Sequence, residues 1–142
     1  MAMLNRLSIS GYRSIKNADI HLKPLNVLVG ANGAGKSNLI SFFKMLNEMM
    51  GGRLQQYIGI SGRAQSLLHF GPRVTPQLEA TLEFETHKGI DTCSMRMFHA
   101  ASDTLVFAEE ALGFLPTGRG GIKSSYHSAQ GIKKPGSANE RR

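Results

Sequence analysis

The chain has 142 residues, of which 41% are hydrophobic and 19% charged, with a formal net charge of +7. That length suits one ordinary domain able to bury about two-thirds of its unfolded surface. The charge is uneven: residues 1–112 carry 11 Lys+Arg against 9 Asp+Glu, whereas residues 113–142 carry 6 against 1, so the basicity belongs to the tail and excludes a uniformly basic domain.

Two segments at the start alternate in the manner of strands, Asn5 to Ser10 and Ala18 to Lys23, the second with Ala18, Ile20 and Leu22 on one face. Gly11, Ser14 and Asn17 lie in the connection, and Pro24 closes the second strand. The mostly apolar run Leu25-Asn26-Val27-Leu28-Val29 then predicts an internal strand covered on both faces. From Lys36 to Met50, Leu39, Phe42, Phe43, Leu46 and Met50 recur at i, i+3, i+4, i+7 and i+11, which predicts an amphipathic helix with these residues toward the core. Gly51-Gly52 stops it.

The next thirty residues carry no clear period. Alternation returns with Leu78, Ala80, Leu82 and Phe84 against Glu79, Thr81, Glu83 and Glu85, a half-exposed strand with an acidic outer face. Segments 92–98 and 104–108 predict two more strands, separated by a turn at Ala101-Ser102-Asp103, and three successive short strands suggest an antiparallel sheet. Residues 113–142 hold six glycines and seven apolar or aromatic residues, a composition that predicts a mostly disordered basic tail after a domain spanning 1–112.

The most informative string is Gly30-Ala31-Asn32-Gly33-Ala34-Gly35-Lys36-Ser37, a complete G-x-x-x-x-G-K-[ST] phosphate-binding loop between the predicted strand and helix. Several backbone N–H groups must converge on phosphate oxygens, and glycines at 30, 33 and 35 permit that approach without Cβ clashes. The helix that follows offers unpaired N–H groups and its positive dipole end to an anion. Lys36 is then the cation for the β/γ-phosphates and Ser37 the hydroxyl for a Mg²⁺ shell, which makes a nucleotide with Mg²⁺ the expected ligand pair. The bare pattern arises by chance in on the order of one per cent of chains this long, and its flanks lower that figure.

Other chemistry is sparse. Cys93 is the single cysteine and the histidines at 21, 69, 87, 99 and 127 lack zinc-like spacing. No segment has the layout of a signal peptide or the length of a membrane span, so a reducing, cytoplasmic setting without membrane association is expected.

The lead Leu7 to Ile15, of the form L-x-I-x-x-Y-R-S-I, followed by Asn26 to Leu39, N-V-L-V-G-x-N-G-x-G-K-S-N-L, resembles the N-terminal lobe of the ABC/SMC/RecF-like ATPases. Within these it is similar to the bacterial AAA family ATPases related to the RecF and OLD proteins, over roughly residues 3 to 112. The resemblance implies an α/β P-loop nucleoside triphosphate hydrolase fold, expected here as a mixed sheet with one main helix after the loop and an antiparallel β region, and ATP binding and hydrolysis by paired heads, each lending its signature motif to the other. Position by position, it places Gly30, Ala31, Asn32, Gly33, Ala34 and Gly35 around the phosphates, with Lys36, Ser37 as metal ligand, and Asn38 completing the G-K-S-N pattern. Arg13 stands where the family has a basic residue in its leading Y-R-S element, near the nucleotide in some relatives.

Two parts of such an engine are missing: a hydrophobic strand ending in Asp-Glu, which holds Mg²⁺ and activates water, and an L-S-G-G-type signature. Leu105-Val106-Phe107-Ala108-Glu109-Glu110 imitates the first but begins with Glu, and the family places that strand much later. The chain is therefore expected to be the front part of a longer ATPase, with no catalytic residue assignable. Two alternatives stay open: another P-loop NTPase, a GTPase or kinase, although D-x-x-G and N-K-x-D are absent; and a non-catalytic module in which Lys123, Lys133, Lys134, Arg141 and Arg142 contact nucleic-acid phosphates. Head-to-head homodimers are the family habit.

Overall fold

A computed structural model describes residues 1–118 and 124–128. It contains one antiparallel sheet with three helices on one face. The strands are β1 (Met3–Tyr12), β2 (Ile15–His21), β3 (Gln77–Thr86), β4 (Gly89–Ala100), β5 (Thr104–Pro116) and β6 (Ser124–Ser128), in spatial order β2-β1-β3-β4-β5-β6. The helices α1 (Lys36–Met50), α2 (Leu54–Ile60) and α3 (Arg63–Leu67) fill the connection between β2 and β3.

Register explains the division of the faces. Leu7 lies opposite Ile20 on β2 and Leu82 on β3, Ile9 opposite Ala18 and Ala80, and Ala80 and Leu78 opposite Met95 and Met97 on β4. Since side chains alternate across a strand, these residues share the helix-facing side. They bury with Leu39, Phe42, Met45 and Leu46 of α1 and with Leu54, Ile58, Ala64, Leu67 and Leu68. Full burial of a Leu or Phe side chain contributes about 1.5–3 kcal/mol, so this cluster holds the fold together. Tyr12 joins α1 to the sheet: its ring meets Phe42 edge-on at 5.3 Å and its hydroxyl lies 2.6 Å from Ser41 Oγ. Burial pushes the Tyr12 hydroxyl up to about 12.

The opposite face is polar and cross-linked. Arg6 donates through Nε and Nη2 to both carboxylate oxygens of Asp19, at 2.9 and 2.8 Å, and through Nη1 to Glu83 at 3.2 Å. Arg96 pairs with Glu109 at 3.2 Å. At the end of the sheet, Asp103 Oδ1 accepts from the Gln65 backbone N–H at 3.0 Å, and Gln55 Nε2 donates to the Leu105 carbonyl at 2.9 Å, which ties α2 and α3 to the β4–β5 turn.

Four expectations need correction. Leu25 to Val29 is not a strand: no regular structure is assigned there, and Leu25, Val27 and Val29 are 82%, 76% and 88% exposed. The sheet is antiparallel throughout rather than mixed. A lone apolar run forms no ladder without neighbouring strands, whatever its composition. On α1 the buried stripe runs through Met45, while Phe43 and Met50 lie exposed, because that flank of the helix faces away from the sheet and no described strand covers it. β5 does not end at residue 108 but continues to Pro116, where it pairs with β6, so regular structure crosses the compositional break at Leu112. The remaining tail, with Lys123, Lys133, Lys134, Arg141 and Arg142, lies outside the described residues.

Candidate functional site

The loop predicted to grip phosphates is built as a tight coil leading directly into α1. Gly33 and Gly35 have φ of 85° and 93°, in the left-handed region that residues with a Cβ rarely enter. Ala34 N–H donates to the Ala31 carbonyl at 3.1 Å, and Leu39 N–H to the Gly35 carbonyl at 2.9 Å, so α1 begins immediately after the second left-handed turn. Gly35 is the helix N-cap and supplies no side-chain cap. The N–H groups of Lys36, Ser37 and Asn38 precede the first intrahelical donor and end at the loop. No acidic residue occupies the first turn to neutralise them.

Lys36 bends over this loop. Its Nζ donates to the Gly30 carbonyl and, at 2.9 Å, to the Ala31 carbonyl, which uses two of an ammonium's three donors. A Cβ at Gly30 would stand 3.1 Å from Ala34 Cβ and 3.8 Å from Lys36 Nζ, so the glycine keeps room inside the bend. Asn32, Gly33, Gly35, Lys36, Ser37 and Asn38 line a cavity of about 300 Å³. Five motif positions and Asn38 thus share one small concavity, while Gly30 and Ala31 meet it through their carbonyls on Lys36 Nζ and Ala34 is not among its lining residues.

Ser14, to which no role was assigned from sequence, supports this loop from below. Asn38 Nδ2 donates to Ser14 Oγ at 2.6 Å, and a Cβ on Gly35 would lie 3.3 Å from the same oxygen. The only sequence signal was its place beside Arg13 in the two-residue connection between β1 and β2. Arg13 itself takes φ of 48°. Its N–H donates to the Leu67 carbonyl at 2.8 Å, and its own carbonyl lies 2.7 Å from His69 Nδ1. Its guanidinium lies over the Tyr12 ring, 5.8 Å from the centroid, its Nε is buried without a hydrogen-bond partner among the described residues, and its side chain shares a cavity wall with Asn38.

Residues 3–92 match the model of the AAA ATPase domain family. The chain belongs to that family. AAA ATPase domains of this kind bind ATP through a P-loop, and the loop at 30–37 lies inside the matched region. The DNA replication and repair protein RecF of Renibacterium salmoninarum is 39% identical over 54 residues, which cover 37% of this chain and 14% of that protein. RecF of Salmonella arizonae and of an Enterobacter species are each 53% identical over 38 residues, 26% of this chain and 11% of theirs. The chain thus matches a small fraction of the length of these curated relatives.

Magnesium accompanies ATP in such domains, and the residues fit it in one way only. Among the described residues no cluster of three or more His, Cys, Asp or Glu could hold a metal. Ser37 offers a single hydroxyl at the start of α1, one oxygen toward an ion that brings its other ligands with the phosphates. The Asp-Glu imitation ending in Glu109 and Glu110 lies within β5, where Glu109 faces Arg96 across the sheet. Among the described residues, no helix is long and apolar enough to cross a membrane. Cys93 lies within β4, and burial raises its thiol above the usual cysteine range.

Proposed function

We propose that residues 30–38 capture the triphosphate of Mg·ATP in an ABC/SMC-like head lobe, and that ATP hydrolysis belongs to the larger assembly of which this lobe is the front part. The observation that carries this reading is the pair of left-handed glycines, 33 and 35, running straight into a 15-residue helix whose first residue is Lys36. Main-chain N–H groups of that turn solvate the phosphate oxygens, Lys36 exchanges its contacts with loop carbonyls for contacts with phosphate, and Ser37 ligates the nucleotide-borne Mg²⁺. At an effective dielectric near 20, a lysine–phosphate pair at about 4 Å is worth roughly 4 kcal/mol.

Turnover needs a carboxylate for the metal and water and a second donor set on the far side of the phosphates. The exposed run Leu25 to Val29 is the segment on which that completion is built: apolar but for Asn26, it becomes an inner strand when the rest of an ATPase domain supplies its neighbours. The matched relatives are much longer than the matched stretch, which supports this reading.

Calorimetric titration with ATP, with and without Mg²⁺, tests the binding. The wild-type chain should bind, and Lys36→Ala should weaken binding at least tenfold, about 1.4 kcal/mol, without changing the urea midpoint. Equal affinities would refute it. The chain alone should turn ATP over near background; a rate of about 1 s⁻¹ or more, ordinary for an enzyme, would show that no completing part is needed.

A further inference from the structure

Asn38 is the third residue of α1, a position from which a polar side chain ordinarily folds back onto the N–H groups of its own first turn. Here it does not. α1 has no side-chain cap, and the Asn38 carboxamide instead reaches 24 residues back along the chain, where Nδ2 donates to Ser14 Oγ at 2.6 Å. We propose that Ser14 is a positioning residue of the phosphate loop: its hydroxyl holds the Asn38 side chain off the amides at the start of α1 and so leaves them free for an anion. The inference rests on the phosphate-binding reading of residues 30–38 and deepens it to a residue outside the motif.

Three observations carry it. The bond to Ser14 is the only side-chain hydrogen bond that residues 30–38 make to another element among the described residues, since Lys36 bonds only to the Gly30 and Ala31 carbonyls within the loop. The loop therefore has one lateral tether. That tether also meets the turn that opens the helix: a Cβ on Gly35, which has φ of 93°, would stand 3.3 Å from Ser14 Oγ and 4.0 Å from Ile15 Cγ1. The left-handed glycine and the Asn38 carboxamide thus rest on the same oxygen.

Finally, the hydroxyl is presented from a corner that is fixed on both sides. Before it, Arg13 N–H donates to the Leu67 carbonyl at 2.8 Å and the Arg13 carbonyl lies 2.7 Å from His69 Nδ1. After it, Ile15 pairs with the fully buried Tyr12 across the hairpin, and the Tyr12 hydroxyl lies 2.6 Å from Ser41 Oγ on α1. The loop itself carries glycines at 30, 33 and 35, and glycine loses more conformational freedom on ordering than any other residue. A fixed contact from outside lowers that cost before the ligand arrives, and pre-organisation of this kind appears as affinity. Ser14 Oγ can accept from Asn38 and still keep its own O–H donor, whereas an alanine offers neither.

A double-mutant cycle tests the proposal, read by calorimetry on the full chain with ATP and inorganic tripolyphosphate as probes, each with Mg²⁺. Ser14→Ala should weaken both probes alike by about 3- to 10-fold, the worth of one hydrogen bond. The urea midpoint should not move, because Ser14 is exposed. In an Asn38→Ala background the same change should alter either affinity by less than about twofold, since the carboxamide that Ser14 holds is gone. Equal losses in both backgrounds would make Ser14 a structural residue that acts independently of Asn38 and would overturn the proposal. So would wild-type affinity in Ser14→Ala, or a loss confined to ATP, and each of these leaves the phosphate site standing. A wild-type chain that binds neither probe more tightly than Lys36→Ala does would instead remove the phosphate reading and this inference with it.

Discussion

Two stretches of comparable apolar character meet opposite fates in this chain. Leu4 to Tyr12 sits in the sheet between two neighbours, with Leu7, Ile9 and Tyr12 fully or almost fully buried under α1. Leu25 to Val29 makes no backbone hydrogen bond to another element among the described residues and exposes most of its apolar surface. After Leu22 donates to the Asn5 carbonyl, the chain leaves the sheet through a turn in which Asn26 Oδ1 accepts from Lys23 N–H and Asn26 Nδ2 donates to the Lys23 carbonyl. The difference teaches that composition makes a strand possible, whereas pairing partners make it real. It also separates the molecule into a part whose apolar residues are buried against one another and a loop-bearing part whose apolar residues are exposed.

That contrast can be broken or sharpened by mutation. The largest effect on stability should come from Phe42→Ala, which empties a fully buried site against Tyr12 and should cost about 3–5 kcal/mol in urea denaturation. A cost under 1 kcal/mol would mean that α1 is not seated on the sheet. Lys36→Ala comes next, with its at least tenfold loss of nucleotide affinity and folding stability within about 0.5 kcal/mol of wild type. Val27→Asp, at an exposed position of the unpaired run, should likewise change stability by no more than about 0.5 kcal/mol and should reduce self-association of the chain, since an exposed apolar run is an aggregation site. Destabilisation by 2 kcal/mol or more would place Val27 in a packed environment and erase the contrast.

The smallest effect concerns the polar face of the sheet. Its bidentate bond with Arg6 holds the Asp19 carboxyl below the usual aspartate range. A carboxylate whose pKa is depressed by folding contributes stability above its unfolded value near 3.9, and that contribution is lost as pH falls through the folded value. Asp19→Asn should therefore melt slightly below wild type at pH 7, and the difference should shrink in thermal melts as pH falls through and below the usual aspartate range. A difference that persists undiminished at pH 2 would trace it to something other than charge.

Sequence reasoning reached the pieces with a strong local signature. The β1 and β3 alternations, the glycine-rich loop and the helix at 36–50 were all legible, because period and turn chemistry are local properties. The turn at Ser102 and Asp103 was legible too, and both residues adopt positive φ, of 67° and 52°. The seven-residue α2 and five-residue α3 were not, since two short helices separated by a left-handed Gly62 show too few turns for a period. β5 was cut short because Glu109 and Glu110 interrupt its apolar pattern, and the register shift between Arg96 and Met97 breaks the alternation across from it. At the site, the motif residues could be named from spacing alone. Ser14 could not, because it reaches the loop through the β1–β2 hairpin, a geometry that no local pattern encodes.

The central claim is that the amides of residues 30–38 form one anion cradle, and hydrogen exchange with and without saturating Mg·ATP reads those amides directly. Nucleotide should slow exchange across 30–38 in the wild-type chain and leave the amides of β3 and β4 unchanged, with the effect lost in Lys36→Ala. Exchange in 30–38 that is indifferent to Mg·ATP, while the nucleotide is demonstrably bound, would contradict the account.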